Sequence, residues 1–243
     1  MKKTSQVEEE KISHSTLPDY LVNSRRYRSV FLSQYDCISM NKTRLEAFSD
    51  GVLAIIITIM VLEFKVPQSA EWSELRPLIS VFISYAMSFI FVGIYWGNHH
   101  HLLHTVRQVS SGIIWANINL LFWLSLIPFS TGWMGATGFA SNTVAVYGTL
   151  LLLCGVAFTI LQKQVEKRSH DLAALREAFG MLKKKGIISV IAYSSSIPLA
   201  YVYPFLSGIL FVGVSILWLI PDRNLERAMS GGEDEVVNHK HTT

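Results

Sequence analysis

Polar and ionisable side chains stand together where the first long apolar run of the chain begins. Arg44, Ser49 and Asp50 directly precede the apolar segment 52–62. A charge inside a bilayer is costly to leave unpaired, so ionisable groups in such segments are usually paired or serve a function. These residues are therefore expected either to hold helices together through polar contacts or to take part in moving an ion or a proton.

A second cluster of reactive side chains is formed by four histidines, His99, His100, His101 and His104. His100 and His104 stand four residues apart, a spacing at which zinc ligands occur on a helix. The same segment has no acidic residue or cysteine to complete a site, so we expect no bound metal and no cofactor. Either His99 or His100 is instead expected to be an internal partner of Asp50.

The composition indicates what kind of element must position these groups. Of the 243 residues, 50% are hydrophobic and 16% are charged, whereas a typical soluble domain has about 25% charged residues. This composition excludes a soluble enzyme, and Cys37 and Cys154 form neither a zinc motif nor a disulfide framework. The chain is therefore predicted to be an all-α polytopic membrane protein. The apolar stretches that account for the deficit of charge are 52–62, 78–97, 113–129, 144–161 and 187–220.

Prolines, glycines and charged residues divide these stretches into six predicted spans. A bilayer span needs about 20 mostly apolar residues, and the last stretch is too long for one span, so we divide it at Tyr203-Pro204. A six-span domain, 42–221, is predicted between an N-terminal tail, 1–41, and a C-terminal tail, 222–243. A helix is also expected in the basic connector, 171–182, and an interfacial helix in the N-terminal tail around 20–35. The spans cover about 45–64, 76–97, 112–132, 143–162, 186–202 and 204–220.

The distribution of basic residues predicts the orientation of the spans. All of the 21 lysines and arginines except Lys65 and Arg76 fall on one side of a six-span arrangement. Cytoplasmic loops are the ones enriched in Lys and Arg, so both termini are predicted to be cytoplasmic. Five spans instead of six would place the C-terminus outside. Tryptophans near the span ends, Trp96 among them, are expected to form the aromatic belt.

The motif that opens the first span resembles a known family. Arg44, Phe48, Ser49 and Asp50 form Arg-x-x-x-Phe-Ser-Asp, and Gly-Val-x-Ala-Ile-x-x-Thr-x-x-x-Leu-Glu continues from Gly51. Together with the Tyr-Trp-x-x-His sequence at 95–99 and Ser-Leu-Ile-Pro-Phe at 125–129, this is similar to the transmembrane protein 175 family of potassium channels. The resemblance covers about 44–131.

The resemblance implies a homotetrameric potassium channel of the cell membrane, with a pore lined by the first helix. Family members with one six-span repeat are bacterial, and the family suggests proton permeation as well. Membrane lipids and potassium ions are then the expected partners, with no nucleic acid. An apolar constriction would replace a carbonyl selectivity filter, and no Thr-Val-Gly-Tyr-Gly sequence is present. By motif position the constriction consists of Ile55, Thr58, Ile59 and Leu62.

Helical geometry supports this assignment independently, because the four residues fall within an arc of about 100°. Asp50 lies on the opposite face and is expected to point into the protein. A structural polar network is predicted to hold the pore helix, and its loss should destabilise assembly rather than alter selectivity. Its expected members are Arg44, Phe48, Ser49, Asp50, His99 and His100.

Other interpretations of the same residues remain open at this point. The apolar stripe would be a packing seam in many membrane helices, and a Thr58 hydroxyl often bonds to its own helix. The main alternative function is a proton-coupled secondary transporter that uses Asp50 and the membrane histidines. A membrane enzyme or metal-handling protein built on His99–His104 ranks below it, and we do not expect an enzyme.

Overall fold

The structure, a computed structural model, describes residues 41–106, 108–168 and 172–220, and of residues 172–178 it describes only the backbone. Within these residues the chain is all-α and has no strand. The two terminal tails, with the predicted helix at 20–35, lie outside the described residues. In chain order the helices are α1 (Lys42–Leu62), α2 (Leu78–His104), α3 (Ser111–Ser125), α4 (Ile127–Ala136), α5 (Ser141–Glu166), α6 (Leu172–Val202) and α7 (Pro204–Leu219).

Five of the described segments are long and apolar enough to cross a membrane. They are α1, α2, α3 together with α4, α5, and the part Phe179–Val202 of α6. The sixth apolar segment, α7, has 16 residues and is shorter. The all-α fold of a multi-pass membrane protein, predicted from composition, is confirmed.

The third predicted span consists of two helices instead of one. Leu126 ends α3 and precedes α4, and Pro128 lies in the first turn of α4. A proline ring collides with the carbonyl four residues earlier and offers no N–H to it, which breaks a continuous helix. The span therefore bends near its middle.

The basic connector and the fifth span form a single helix, α6. We had expected a break between a connector helix at 171–182 and a span that begins at 186. Lys183, Lys184 and Lys185 are good helix formers, and one glycine, Gly186, costs only about 1 kcal/mol inside a helix. The connector therefore does not end the helix, and α6 continues to Val202 with Pro198 inside it. At its membrane border, Lys185 donates from Nζ to the carbonyl of Ile220 after α7, at 2.8 Å.

Helix α5 lies at the centre of the subunit, packed against α3, α4, α6 and α7. A buried chain of hydroxyl groups ties it to its neighbours: Ser88 on α2 lies 2.7 Å from the Thr131 hydroxyl and 2.9 Å from that of Tyr147. A buried hydroxyl without a partner is costly in an apolar interior. These bonds therefore fix how α2, α4 and α5 pack.

Helices α2 and α4 approach closely at Gly135. A Cβ added there would lie 2.8 Å from the Cα of Val81 and would also collide with the Ser84 hydroxyl. The Gly135 carbonyl accepts a hydrogen bond from Ser80 Oγ at 2.8 Å. We expect Gly135→Ala to lower the thermal stability of the purified protein, because overpacking costs about 1–3 kcal/mol.

A suitable control is Gly93→Ala on α2, where an added Cβ would have nothing within 4 Å. This variant should be as stable as the wild type or slightly more so, because alanine favours a helix over glycine. Both variants can be heated in detergent and followed by the loss of the assembled peak in size-exclusion chromatography. Equal stability of the two variants would contradict the close approach at Gly135.

Candidate functional site on the first helix

Helix α1 has one face packed into its own subunit and one face exposed. The exposed face carries the predicted constriction: the exposed fractions of Ile55, Ile59 and Leu62 are 57%, 42% and 77%, and Thr58 is exposed beside them. Large apolar side chains on such a face must contact lipid or another copy of the chain. The packed face is formed by Leu45, Ser49, Leu53, Ile56 and Met60.

The Thr58 hydroxyl donates a hydrogen bond to the carbonyl of Ile55 at 2.9 Å. This bond within the helix is the alternative considered from the sequence. A hydroxyl oxygen has two acceptor lone pairs besides its proton. With the proton directed at the helix backbone, the Thr58 oxygen is free to face a cation.

A buried chain of three polar side chains joins α1 to α2 and α3. Asn117 on α3 donates from Nδ2 to Ser49 Oγ at 2.9 Å, and Ser49 donates to the carbonyl of Leu45 at 2.8 Å. His99 on α2 lies with Nε2 2.6 Å from Asn117 Oδ1. Since the Asn117 oxygen can only accept, His99 is the donor and carries a proton on Nε2. No more than 2% of any of these three side chains is exposed.

Asp50 accepts its hydrogen bond from a tryptophan, not from a histidine. Trp96 Nε1 lies 2.9 Å from Asp50 Oδ1, and the His100 ring stacks on Trp96 with centroids 6.1 Å apart. Trp96 and His100 are one turn apart on the same face of α2, whereas His99 is directed at α3. The expected histidine partner of Asp50 is therefore wrong: the partner is Trp96, and His100 contacts Trp96 instead of Asp50.

The remaining residues of the predicted network lie outside these contacts. Phe48 is exposed, and the Arg44 side chain makes no hydrogen bond or ion pair with the described residues, although its backbone N–H donates to the carbonyl of Asn41. The basic residue that does tie the start of α1 to α2 is Lys42, which donates to the carbonyl of His104 at 2.8 Å. Lys42 Nζ also lies 3.9 Å from Glu46 Oε1.

Two residues of this polar support were missed from the sequence, Asn117 and the hydrogen-bonding role of Trp96. Asn117 is an amide within the apolar stretch 113–129, and a buried amide in a membrane needs a partner. That signal could have identified it. Trp96 lies where a tryptophan of the aromatic belt is expected, so nothing in the sequence distinguishes it as a hydrogen-bond donor to Asp50.

The histidine cluster was also considered as a metal site. The His100 and His104 rings lie with centroids 6.1 Å apart. Among the described residues, no group of three or more histidines, cysteines or carboxylates is arranged to hold a metal ion.

Comparison with known proteins places these residues in a matched region. The family model described as endosomal/lysosomal potassium channel TMEM175 matches residues 44–128. This range includes the exposed face of α1 and the chain Ser49–Asn117–His99. A potassium channel of Chryseobacterium sp. (strain P1-3) is 48% identical over 190 residues, which cover 78% of this chain and 98% of the relative.

The endosomal/lysosomal proton channel TMEM175 of Rattus norvegicus is 22% identical over 215 residues, or 82% of this chain and 41% of the rat protein. Among solved structures, the fold matches a crystal structure of a lysosomal potassium-selective channel TMEM175 homolog from Chamaesiphon minutus. Its TM-score is 0.67 at 26% identity, over 75% of this chain and 97% of the other.

Proposed function

Since this chain belongs to the TMEM175 family of potassium channels, it is a potassium-permeable channel, and we propose that four copies surround a pore lined by α1. The relatives are named as channels, which favours passive ion flow over the proton-coupled transporter considered from the sequence. The rat relative is named as a proton channel, and on that ground protons are proposed to pass as well. The proposed activity involves no catalysed reaction.

The observation that carries the proposal is the exposed face of α1. A single helix cannot enclose a pore, but four copies of the face that carries Ile55, Thr58 and Leu62 can. Leu62 has 77% of its surface exposed in the single chain. On the axis of an assembly, such a side chain would pack against its copies, and van der Waals packing of this kind stabilises helix association in a membrane.

The residue types on this face define how the pore would work. Ile55, Ile59 and Leu62 form an apolar constriction, and narrow apolar constrictions gate by losing their water. Thr58 lies between them and offers one hydroxyl oxygen per copy to a partly dehydrated ion. Cation preference thus arises without a carbonyl filter and without a carboxylate at the constriction.

The buried polar chain would keep this face directed at the axis. Ser49, Asn117 and His99 connect α1 to α2 and α3 at the N-terminal end of α1. The Asp50–Trp96 bond adds a second connection one residue later. Both act on the rotation of α1 about its own axis, which determines whether Thr58 faces the pore.

The channel domain, 42–221, is proposed to lie in the cell membrane with lipid around it and with both tails, 1–41 and 222–243, in the cytoplasm. The support is the charge distribution, because only Lys65 and Arg76 fall on the opposite side. In the described residues these two lie in the loop between α1 and α2.

Reconstitution into liposomes tests the function. Liposomes loaded with potassium chloride should lose potassium down its gradient without any added coupling ion. The tetramer can be measured separately by native mass spectrometry of the detergent-solubilised protein. Absence of uncoupled flux from a folded tetramer would overturn the channel, and a folded monomer or dimer would overturn the pore geometry.

Thr58→Ala tests the proposed selectivity element in the same liposomes. We expect the ratio of potassium to sodium permeability to fall towards one while flux persists, because the variant removes the hydroxyl oxygens and keeps the apolar constriction. Thr149→Ala is the matched control, since Thr149 on α5 also donates to its own helix, to Ala145, at 2.8 Å. If both variants keep the wild-type ratio, Thr58 has no part in selection.

A further inference from the structure

Glu63 places a free carboxylate at the end of the proposed pore helix. It is the residue that caps α1, directly after Leu62. Its side chain is exposed and has no hydrogen bond or ion pair with any described residue. Lys65 follows two positions later without forming an ion pair with it. The charge of Glu63 is therefore not neutralised within the described part of the subunit.

The Glu63 side chain lies against a glycine of a neighbouring helix. A Cβ added at Gly132 of α4 would lie 2.8 Å from Glu63 Oε2 and 3.0 Å from its Cγ and Cδ. The Glu63 side chain thus lies directly against the Gly132 backbone, in space that any other residue would fill. The next residue along the chain is also fixed, because the Phe64 ring packs edge-on against Tyr85 at 5.3 Å.

The Glu63 side chain borders the part of the proposed pore face that carries Ile55 and Ile59, next to Ile56 of the packed face. Glu63 lines a cavity of about 430 Å³ together with Ile55 and Ile59 of α1 and with Pro128 and Phe129 of α4. Glu63 follows the last residue of the apolar constriction, Leu62, at the C-terminal end of α1. A cation leaving or approaching Leu62 at this end would pass the carboxylates of all four copies.

Within a single subunit, a negative charge at this position is unfavourable. The carbonyl groups at the end of a helix already carry partial negative charge, so an acidic residue there is unfavourable. The last turn of α1 has no basic residue to offset it. A cation near the helix end would be stabilised by both the carbonyl groups and the carboxylate.

We propose that Glu63 forms a ring of carboxylates at the C-terminal mouth of the pore, which concentrates monovalent cations there and increases potassium conductance. This inference rests on the proposed tetrameric pore. The ring is separate from the constriction, so it acts on the supply of ions and not on the apolar gate. Rings of acidic side chains serve cation channels in this way.

Glu63→Gln tests the proposal by removing the charge at constant shape. Single-channel potassium conductance should fall at least about twofold at roughly 20 mM salt, and the difference should shrink strongly near 1 M, because added salt screens the charge. Glu71→Gln is the matched control, since Glu71 is exposed directly before the short 3-10 helix Trp72–Leu75 of the same loop. It should conduct as the wild type does at both concentrations.

Gly132→Ala supplies a second variant that keeps every charge. The three atoms nearest to its added Cβ all belong to the Glu63 side chain, so we expect the helices to pack as before while the carboxylate moves away. We expect a smaller loss of conductance of the same salt-dependent kind. Wild-type conductance of Glu63→Gln at low salt would overturn the inference and leave the channel intact. Failure of every protein, wild type included, to conduct would overturn the proposed function.

Discussion

Replacing Ile55 by asparagine is expected to raise potassium flux about tenfold, the change that corresponds to about 1.4 kcal/mol off a free-energy barrier. The Ile55 side chain is 57% exposed on the face of α1 proposed to line the pore. Four amide groups at this level would hydrate the constriction and would remove much of the cost of bringing an ion past apolar walls. The ratio of the variant's flux to the wild-type flux should be largest under conditions in which the wild-type channel conducts least.

The control for Ile55→Asn is Ile191→Asn on α6. Ile191 has 61% of its surface exposed, and it lies on a helix that is not proposed to line the pore. Both variants can be reconstituted at equal protein-to-lipid ratios and compared by potassium efflux. If Ile191→Asn raises flux as much as Ile55→Asn does, the increase is a leak and the assignment of Ile55 is wrong.

Replacing Asn117 by leucine is expected to lower the stability of the assembled channel by about 2–4 kcal/mol. The change leaves the His99 N–H unpaired and removes the donor to Ser49 Oγ, and a buried polar group left without its partner costs about 1–3 kcal/mol. Because the three residues connect α1 to α2 and α3, the loss should appear as a lower melting temperature and less tetramer. The potassium preference of the protein that still assembles should not change.

Asn98→Leu provides the comparison for Asn117→Leu. Asn98 lies on α2 and is partly buried, but its Nδ2 donates only to the carbonyl of Ile94 in its own helix, at 2.8 Å. It should melt close to the wild-type temperature. A normal melting temperature with altered potassium preference in Asn117→Leu would show that the buried chain acts on selection and not on assembly.

The presence of the membrane helices could be predicted from the sequence, because their apolar composition is sufficient to identify them. The apolar stretches predicted the all-α membrane fold, and the resemblance carried by the motifs predicted the family and the potassium channel. The structure and the relatives confirm these predictions. The details that failed depend on the neighbours of each helix. Helix α2 runs to His104 instead of ending near Gly97 because polar residues continue a helix as readily outside the apolar layer as within it. The break at Pro128 and the continuity of α6 through Gly186 depend on the helix preferences of proline and glycine. A hydropathy pattern does not contain this information.

The candidate site divides in a similar way. Helical spacing predicted that Ile55, Thr58, Ile59 and Leu62 share a face, and the structure exposes that face; their role in a pore stays a prediction. The partner of Asp50 was predicted as a histidine, and the structure has Trp96 in that position. Whether Trp96 or one of the histidines on α2 faces Asp50 depends on how α2 is rotated about its own axis against α1. A single sequence does not determine that rotation. The hydrogen bonds of Asn117 were not predicted because its partners, Ser49 and His99, lie on other helices.

The shortness of α7 has a consequence for the bilayer around the channel. At about 1.5 Å per residue, its 16 residues extend about 24 Å, whereas the hydrocarbon layer is about 30 Å thick. The 27 residues of α2 span more than that thickness on the same subunit. The end of α7 is set at a polar level, where the Lys185 ammonium group binds the Ile220 carbonyl. With the channel domain in the membrane as proposed, lipids next to α7 would have to thin or tilt to match it. Lengthening the acyl chains of the membrane would then place this edge of the protein under hydrophobic mismatch.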